Sequence, residues 1–361
     1  MSQILPEKTP KTINLRNSTL VLTVLAVTVL LLIGTRQNRL IEVDSGTFMT
    51  MGTFGRIQLR CRSEQLGQNA LAAAHEELDR IDRLLSTYRR DSQLACVNKT
   101  ASQAPVTICP ETYLVLKKAK EYYQKTDGAF DITVAPLLTI WKKAQKANHL
   151  PTPQQLHQAH QLVGSDKLKL SESAPYTVYF TQPGLILNVN ALAKGYAVDC
   201  VLSVLRRPGI TAALVDIGGE IACFGRNRPD RDWLVGIQDP FAPDNEDPFN
   251  TKPAWVVTLH DCSVATSGNY RQYQTIQGKK YSHIIDPRSG QPAQKVPSVT
   301  VIAPLTIDAD ALATALSVLD PEKGLALIES TENTETIIIT GTSEHPRLYR
   351  SSGFSKYEKT D

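Results

Sequence analysis

Neither of the two common nucleotide-binding signatures occurs in these 361 residues. No G-x-G-x-x-G follows a strand-like run and no G-x-x-x-x-G-K is present, so neither a Rossmann nor a P-loop cradle is indicated. Cysteine is sparse and unpatterned. Cys61, Cys96, Cys109, Cys200, Cys223 and Cys262 include no C-x-x-C and no paired Cys/His spacing, which argues against zinc and dithiol redox chemistry. An oxidising compartment would permit disulfides, but several of these cysteines sit in apolar runs and read equally well as small buried hydrophobes. Excess charge is lacking too: the formal net charge is +3 and the basic residues are scattered, so there is no nucleic-acid footprint. Aromatics are 6% of the chain and never interleave with basic residues in a stripe suited to single strands. There is no internal repeat and no low-complexity tract. His157 and His160 tempt a metal reading, yet they lie in a Gln-rich helix between Pro153 and Gly164, where a solvated face is the simpler account.

The N-terminus differs from the rest in kind. Lys8, Lys11 and Arg16 precede an apolar stretch from Thr19 to Ile33, and no charge follows until Arg36. No small-residue cleavage site and no lipid-accepting Cys follows that stretch, so the pattern predicts an uncleaved signal anchor, with a cleaved signal peptide as the alternative. The expected order is a cytoplasmic segment 1–18, a membrane anchor 19–35, a linker 36–48, a globular domain 49–354 and a tail 355–361. Three basic residues before the anchor against Arg36 and Arg39 after it place the domain on the periplasmic side of the inner membrane.

Within the globular part, periods of both kinds alternate. Arg56 to Cys61 reads as a strand, and Leu66, Ala70, Ala74, Leu78, Ile81 and Leu85 mark a long amphipathic helix. Further helices are expected from Pro110 to before Asp127, over Leu138 to Lys146, from Pro153 towards Gly164, over Ala191 to Leu205, around Asp310, and from Pro321 behind a cap at Asp320. Strands are expected at Ala212 to Ile217, Ala254 to Leu259, Val299 to Ala303, and as an antiparallel pair at Thr336 to Thr340 and Arg347 to Arg350. The polar stretch from Phe241 to Pro253 reads as a surface loop. Helices and strands mix without a strict βαβ order, which predicts an α+β fold.

Three motifs in the second half carry the chemistry: Asn190 to Tyr196 (NALAKGY), Ser282 to Pro287 (SHIIDP) and Asp308 to Ala315 (DADALATA). Asp310 and Thr314 are four residues apart in an Ala-rich run, so a helix sets both oxygens on one face, where a hard cation such as Mg²⁺ can bind. Spacing alone equally describes an ordinary surface helix. Asp308 is a possible cap whose first-turn N–H groups would favour a phosphate. His283 has a reference pKa of about 6.5, suited to a general base, and Lys194 is a compact cation for a phosphoryl oxygen. Gly218 and Gly219, after a buried strand, would let backbone approach a ligand closely.

Taken in this order, with Ala212 to Glu220 between the first two, these motifs resemble the ApbE family of FAD:protein FMN transferases. Met51-Gly52-Thr53, Ser86 to Leu94 with Asn98, Thr126 to Asp131 with Trp141, Trp233 to Pro240 and Ser267-Gly268-Asn269-Tyr270 extend the resemblance over roughly Met49 to Phe354. It implies a T-fold-like architecture of mixed or antiparallel sheets with packed helices. It also implies transfer of the FMN half of FAD to a Ser or Thr hydroxyl of an acceptor protein, with AMP released. Carried over, Asp310, Thr314 and the Ala191 carbonyl would hold Mg²⁺, while His283 and Lys194 would be catalytic. Met51, Ser92, Asp127, Ala129, Asp131, Lys194, Gly218, Gly219, Ser267, Gly268 and Asn269 would contact FAD. One departure stands out: Asn188 and Asn190 occupy positions where the family usually has Asp and Gly, which alters either metal or phosphate affinity or only a local hydrogen bond. Asp44 to Thr50 resembles the first half of the family's acceptor motif and reads as the lead into the first strand. Two other outcomes use the same site: FAD hydrolysis to FMN and AMP, or carriage of intact FAD.

Overall fold

Alternating apolar residues on both faces of its strands fix the centre of the molecule. In the computed structural model, which describes residues 40–242, 252–269 and 272–359, nine strands form one sheet. They are β1 (Ile41–Asp44), β2 (Phe48–Thr50), β3 (Thr53–Cys61), β4 (Ile210–Ile217), β5 (Glu220–Phe224), β6 (Ser263–Gly268), β7 (Ser298–Ala303), β8 (Glu335–Gly341) and β9 (Pro346–Arg350). Their order is β1-β3-β4-β5-β6-β7-β8-β9, with β2 paired to β3. Every pairing is antiparallel. The expected anchor at 19–35, the segment before it and most of the polar loop after Phe241 lie outside the described residues. Among the described residues no helix is long and apolar enough to cross a membrane.

The two faces carry different cores. Ala213, Val215 and Ile217 of β4, with Val299 and Val301 of β7, point to a helical layer, whereas Ala212, Leu214, Ile302, Ile337 and Ile339 point the other way. Successive strand residues face opposite sides, so a sheet covered twice must be apolar on both. The second face is covered by a hairpin, Trp233–Ile237 with Trp255–Leu259, and by Phe354.

Eight helices are described: α1 (Glu64–Leu85), α2 (Gln93–Thr100), α3 (Pro110–Lys125), α4 (Ala135–Ala147), α5 (Pro153–His160), α6 (Asn190–Leu205), α7 (Thr306–Val318) and α8 (Pro321–Glu329). Ser63 caps α1, accepting from Leu66 N–H at 3.3 Å, and the helix buries Ala70, Leu71, Ala74, Leu78, Ile81 and Leu85, close to the expected stripe. Thr152 and Gln155 form a reciprocal capping box at α5, which ends at His160, short of Gly164. Two expectations fail locally. Asp320 occupies the position before α8 but makes no side-chain cap, its carboxylate being 3.3 Å from Lys295 Nζ. Helix α2 was not anticipated, being only eight residues long and without a clear apolar stripe.

Helices α6 and α7 cross each other against the sheet, and Gly195 sets how closely. A Cβ there would lie 2.4 Å from the Thr306 carbonyl oxygen and 2.9 Å from Asp310 Cβ. Only a residue without a side chain allows this crossing, which brings Lys194 and Asp310 to the same place.

Candidate active site

Two tight turns stand side by side at one end of the sheet. Met51-Gly52 joins β2 to β3 with φ of 45° and 73°, and Gly218-Gly219 joins β4 to β5 with φ of 71° and 96°. Each is a two-residue loop between paired strands, and positive φ at both central residues is the type I′ pattern. Gly218 N–H donates to the Phe54 carbonyl at 2.9 Å, and a Cβ on Gly218 would lie 2.8 Å from Thr53 Oγ1. The Met-Gly-Thr and Gly-Gly motifs, far apart in sequence, thus make one backbone surface.

Behind this surface is a buried ionic cluster. Lys194 Nζ is paired with Glu220 Oε1, and the fields of Asp310 and Asp216 also reach the ammonium. Burial alone would lower the Lys194 pKa, but Glu220 and Asp310 outweigh it and hold the lysine charged. Burial pushes the carboxyls of Asp216 and Asp310 up and that of Glu220 up to about 8, with Lys194 opposing in each case. Three carboxyls therefore share one cation in a water-poor space, and Glu220 Oε2 is buried without a hydrogen-bond partner. Unpaired buried oxygens of this kind call for a further cation or donor.

The donors fit Mg²⁺. Asp310 is 3% exposed. Its Oδ2 accepts from Gly195 N–H at 3.0 Å. That N–H is the one a regular helix would direct at the Ala191 carbonyl, so Ala191 does not have its helical donor to itself. Thr314 Oγ1 lies 3.3 Å from Ser267 Oγ, one turn further along α7. A carboxylate, a hydroxyl and a backbone carbonyl are donor types that suit Mg²⁺, which commonly adds water and phosphate oxygens. Among the described residues no group of three or more His, Cys, Asp or Glu side chains is placed to hold a metal ion.

His283 follows a separate hairpin, Tyr273–Ile276 with Lys279–Ser282. Its Nδ1 donates to the Gln272 carbonyl at 2.8 Å, which leaves Nε2 as the lone-pair nitrogen. Burial lowers its pKa and the nearby Lys194 charge adds to that, so the ring is a neutral base at pH 7. A small satellite core anchors this hairpin: Ile276 and Ile285 pack with Leu137 and Trp141 of α4, and Trp141 Nε1 donates to the Gly290 carbonyl at 2.9 Å.

Several expected contacts take other roles. Asp131 is buried: it accepts from Thr133 N–H and Oγ1 at 2.8 and 2.7 Å and from Ser165 N–H and Oγ at 3.1 and 2.6 Å. Ser92 caps α2 through Ala95 N–H and donates to the Ser86 carbonyl at 2.7 Å. Both side chains brace loops. Asp308 does not cap α7. It accepts from Lys118 Nζ at 2.7 Å and Tyr122 OH at 2.6 Å. Asp199 of α6 instead takes the Thr306 and Ile307 N–H groups at 2.8 and 2.9 Å, so the α7 terminus is closed to phosphate. Asp127, at φ 49°, and buried Ala129 form a turn whose Gly128 faces Arg288, beyond the His283 loop. Ser267, Gly268 and Asn269 end β6 half-buried, Asn269 N–H donating to the Pro297 carbonyl at 3.1 Å. Asn188 Oδ1 accepts from Asn190 N–H at 3.0 Å and so starts α6, the local hydrogen bond left open by the sequence. Asp44 to Thr50 is not a lead into the first strand: it spans the end of β1 and all of β2, both paired to β3.

Glu220 and Asp216 were not singled out. The available signal was a charge inside an apolar strand run: Asp216 interrupts Ala212 to Ile217, and Glu220 immediately follows the glycine pair. Such a break inside a buried pattern is expected at a functional or ion-paired position.

Fold and site define an antiparallel α+β protein in which paired I′ turns screen a buried, cation-deficient acidic cluster with one lysine and a neutral histidine. The chain belongs to the ApbE family, whose family model matches residues 51–338. A protein of Treponema pallidum named FAD:protein FMN transferase is 34% identical over 299 residues, covering 77% of this chain and 81% of its own. Its namesake in Vibrio cholerae is 33% identical over 318 residues, covering 85% and 90%. The solved flavin transferase ApbE from Vibrio cholerae superposes with a TM-score of 0.75 at 30% identity, over 88% of this chain and all of its own. The ApbE protein of Thermotoga maritima gives 0.74 at 27% identity, over 89% and 100%.

Proposed function

We propose that this protein is an FAD:protein FMN transferase that moves FMN from FAD to a Ser or Thr hydroxyl of an acceptor protein and releases AMP. The observation that carries the reading is the buried cluster of Lys194, Glu220 and Asp310 beside the turn pair, with His283 Nε2 left as a lone-pair base. Family membership supplies the flavin; the cluster supplies a place for a pyrophosphate.

The Gly218-Gly219 and Met51-Gly52 backbones would lie against FAD, with Ser267, Gly268, Asn269, Asp127 and Ala129 at the edges of its site. Lys194, held in place by Glu220, would face the phosphoryl oxygens and offset the charge that grows as the bond to AMP breaks. His283 Nε2 would take the proton from the acceptor hydroxyl as that oxygen attacks the FMN-side phosphorus. Asp310, Thr314 and the Ala191 carbonyl would hold Mg²⁺, which when bound supplies neutralising charge at the pyrophosphate. The expected location is the periplasmic face of the inner membrane, through the anchor at residues 19–35; fractionation of cells producing the full chain tests this.

The direct test is mass spectrometry of a protein bearing the family's acceptor motif after incubation with this protein, FAD and Mg²⁺, with AMP followed in parallel. The expected result is one added FMN on a Thr or Ser with an equivalent of AMP. FMN and AMP without an adduct would show a pyrophosphatase, and bound, intact FAD a carrier.

A further inference from the structure

Strands β5 and β6 carry a second feature at the end away from the glycine pair. Ser263 pairs with Ala222 in the ladder, so the next step sets Cys262 opposite Cys223. Cys223 N–H donates to the Cys262 carbonyl at 3.1 Å, and Cys223 Sγ lies 3.7 Å from the same oxygen. Directly opposite residues of a hydrogen-bonded antiparallel pair have Cα atoms ~5.5 Å apart, inside the ~4.4–6.8 Å range of disulfides. Both cysteines belong to the second-face core, Cys223 buried at 1% exposure and Cys262 packed at its margin.

We propose that Cys223 and Cys262 are a modification site: a cross-strand dithiol that a small-molecule disulfide of the glutathione type converts to an intramolecular disulfide. The thiols are unequal partners. The Cys223 thiol hydrogen-bonds to the Cys262 sulfur, which lowers the Cys262 pKa and, with burial, raises that of Cys223. Cys262, the more exposed and more acidic, attacks first as thiolate on one sulfur of oxidised glutathione, breaking its S–S bond and releasing one glutathione thiolate. Cys223 then loses its proton to solvent and attacks the Cys262 sulfur, forming the protein S–S bond and expelling the second glutathione. Two protein thiols are oxidised and one glutathione disulfide is reduced to two thiols. The bond ties together the strands that deliver Glu220 and Ser267, at a point remote from either, so it acts as a staple on the scaffold and not as part of the transfer chemistry.

The full chain is incubated with oxidised or reduced glutathione, free thiols are alkylated, and peptides are mapped without reduction. The oxidised sample should contain a Cys223–Cys262 cross-linked peptide short of two hydrogen atoms, and melt at a higher temperature than the reduced one. Exposed Cys96 serves as the competing thiol. Recovery of Cys223 and Cys262 fully alkylated while Cys96 is consumed would overturn the proposal, as would a cross-link from either to another cysteine. Cys223→Ser should retain a glutathione adduct on Cys262, the trapped first step, and Cys262→Ser should lose the oxidant-dependent rise in melting temperature. Absence of the adduct in Cys223→Ser would refute Cys262 as the attacking thiol.

Discussion

The protonation states of His283 and Lys194 are set by groups from elsewhere in the chain. The lone pair on His283 Nε2 depends on a carbonyl eleven residues away, and the charge on Lys194, in helix α6, depends on a carboxylate from strand β5. The lowered pKa keeps His283 neutral until the pH falls below its ordinary 6.5, so the acid limb of kcat should have its midpoint below 6.5 and disappear in His283→Ala. That variant should lose ~10²–10⁴ in kcat while binding FAD nearly normally. Loss of FAD affinity with kcat retained would make His283 a binding group instead. Glu220→Ala leaves the Lys194 charge buried without its partner and should cost about 3 kcal/mol in urea unfolding, whereas replacing both residues by Met should cost less. A double change as damaging as the single one would mean that the pair is not the unit.

At the scale of elements, periodicity located most helices but fewer than half of the strands, and missed what contacts between elements decide. The α1 stripe and the β8–β9 pair needed only local pattern. The cap of α7 could not be read locally, because Asp199 reaches it from a helix more than a hundred residues earlier and displaces Asp308 from that role. Asp199→Ala should therefore destabilise the protein by ~0.5–2 kcal/mol, the usual range for losing a cap, while Asp308→Ala should leave α7 capped. The glycine at 195 was likewise visible in its motif without its purpose. Gly195→Ala should cost ~1–3 kcal/mol by overpacking the α6–α7 crossing, and should lower Mg²⁺ affinity by moving Asp310. Calorimetric titration of Mg²⁺ in the presence of FAD checks the second part, and unchanged affinity would separate the crossing from the metal site.

For the whole molecule, an α+β order was legible, but the nine-stranded antiparallel sheet was not, since β3 and β4 pair across almost 150 intervening residues. The α6–α7 crossing at Gly195 and the β4–β5 turn assemble three buried carboxyls around one lysine, and this has a global consequence. Glu220 has an ordinary pKa of 4.5 and is raised to about 8 in the fold, with Asp216 and Asp310 raised in the same sense. Over that window the folded protein holds protons that the unfolded chain releases, so stability must fall as pH rises through it. In EDTA the melting temperature should therefore decrease between about pH 5 and pH 8. On the proposed function, Mg²⁺ with FAD should oppose the fall by binding the fold alone; a hundredfold excess over Kd would add ~2.7 kcal/mol. The gain should be largest at the alkaline end, where the carboxylates are charged, and should shrink in Asp310→Asn. A melting temperature that ignores pH in EDTA would show the cluster already neutralised by its own hydrogen bonds, and would remove the physical case for a cation there.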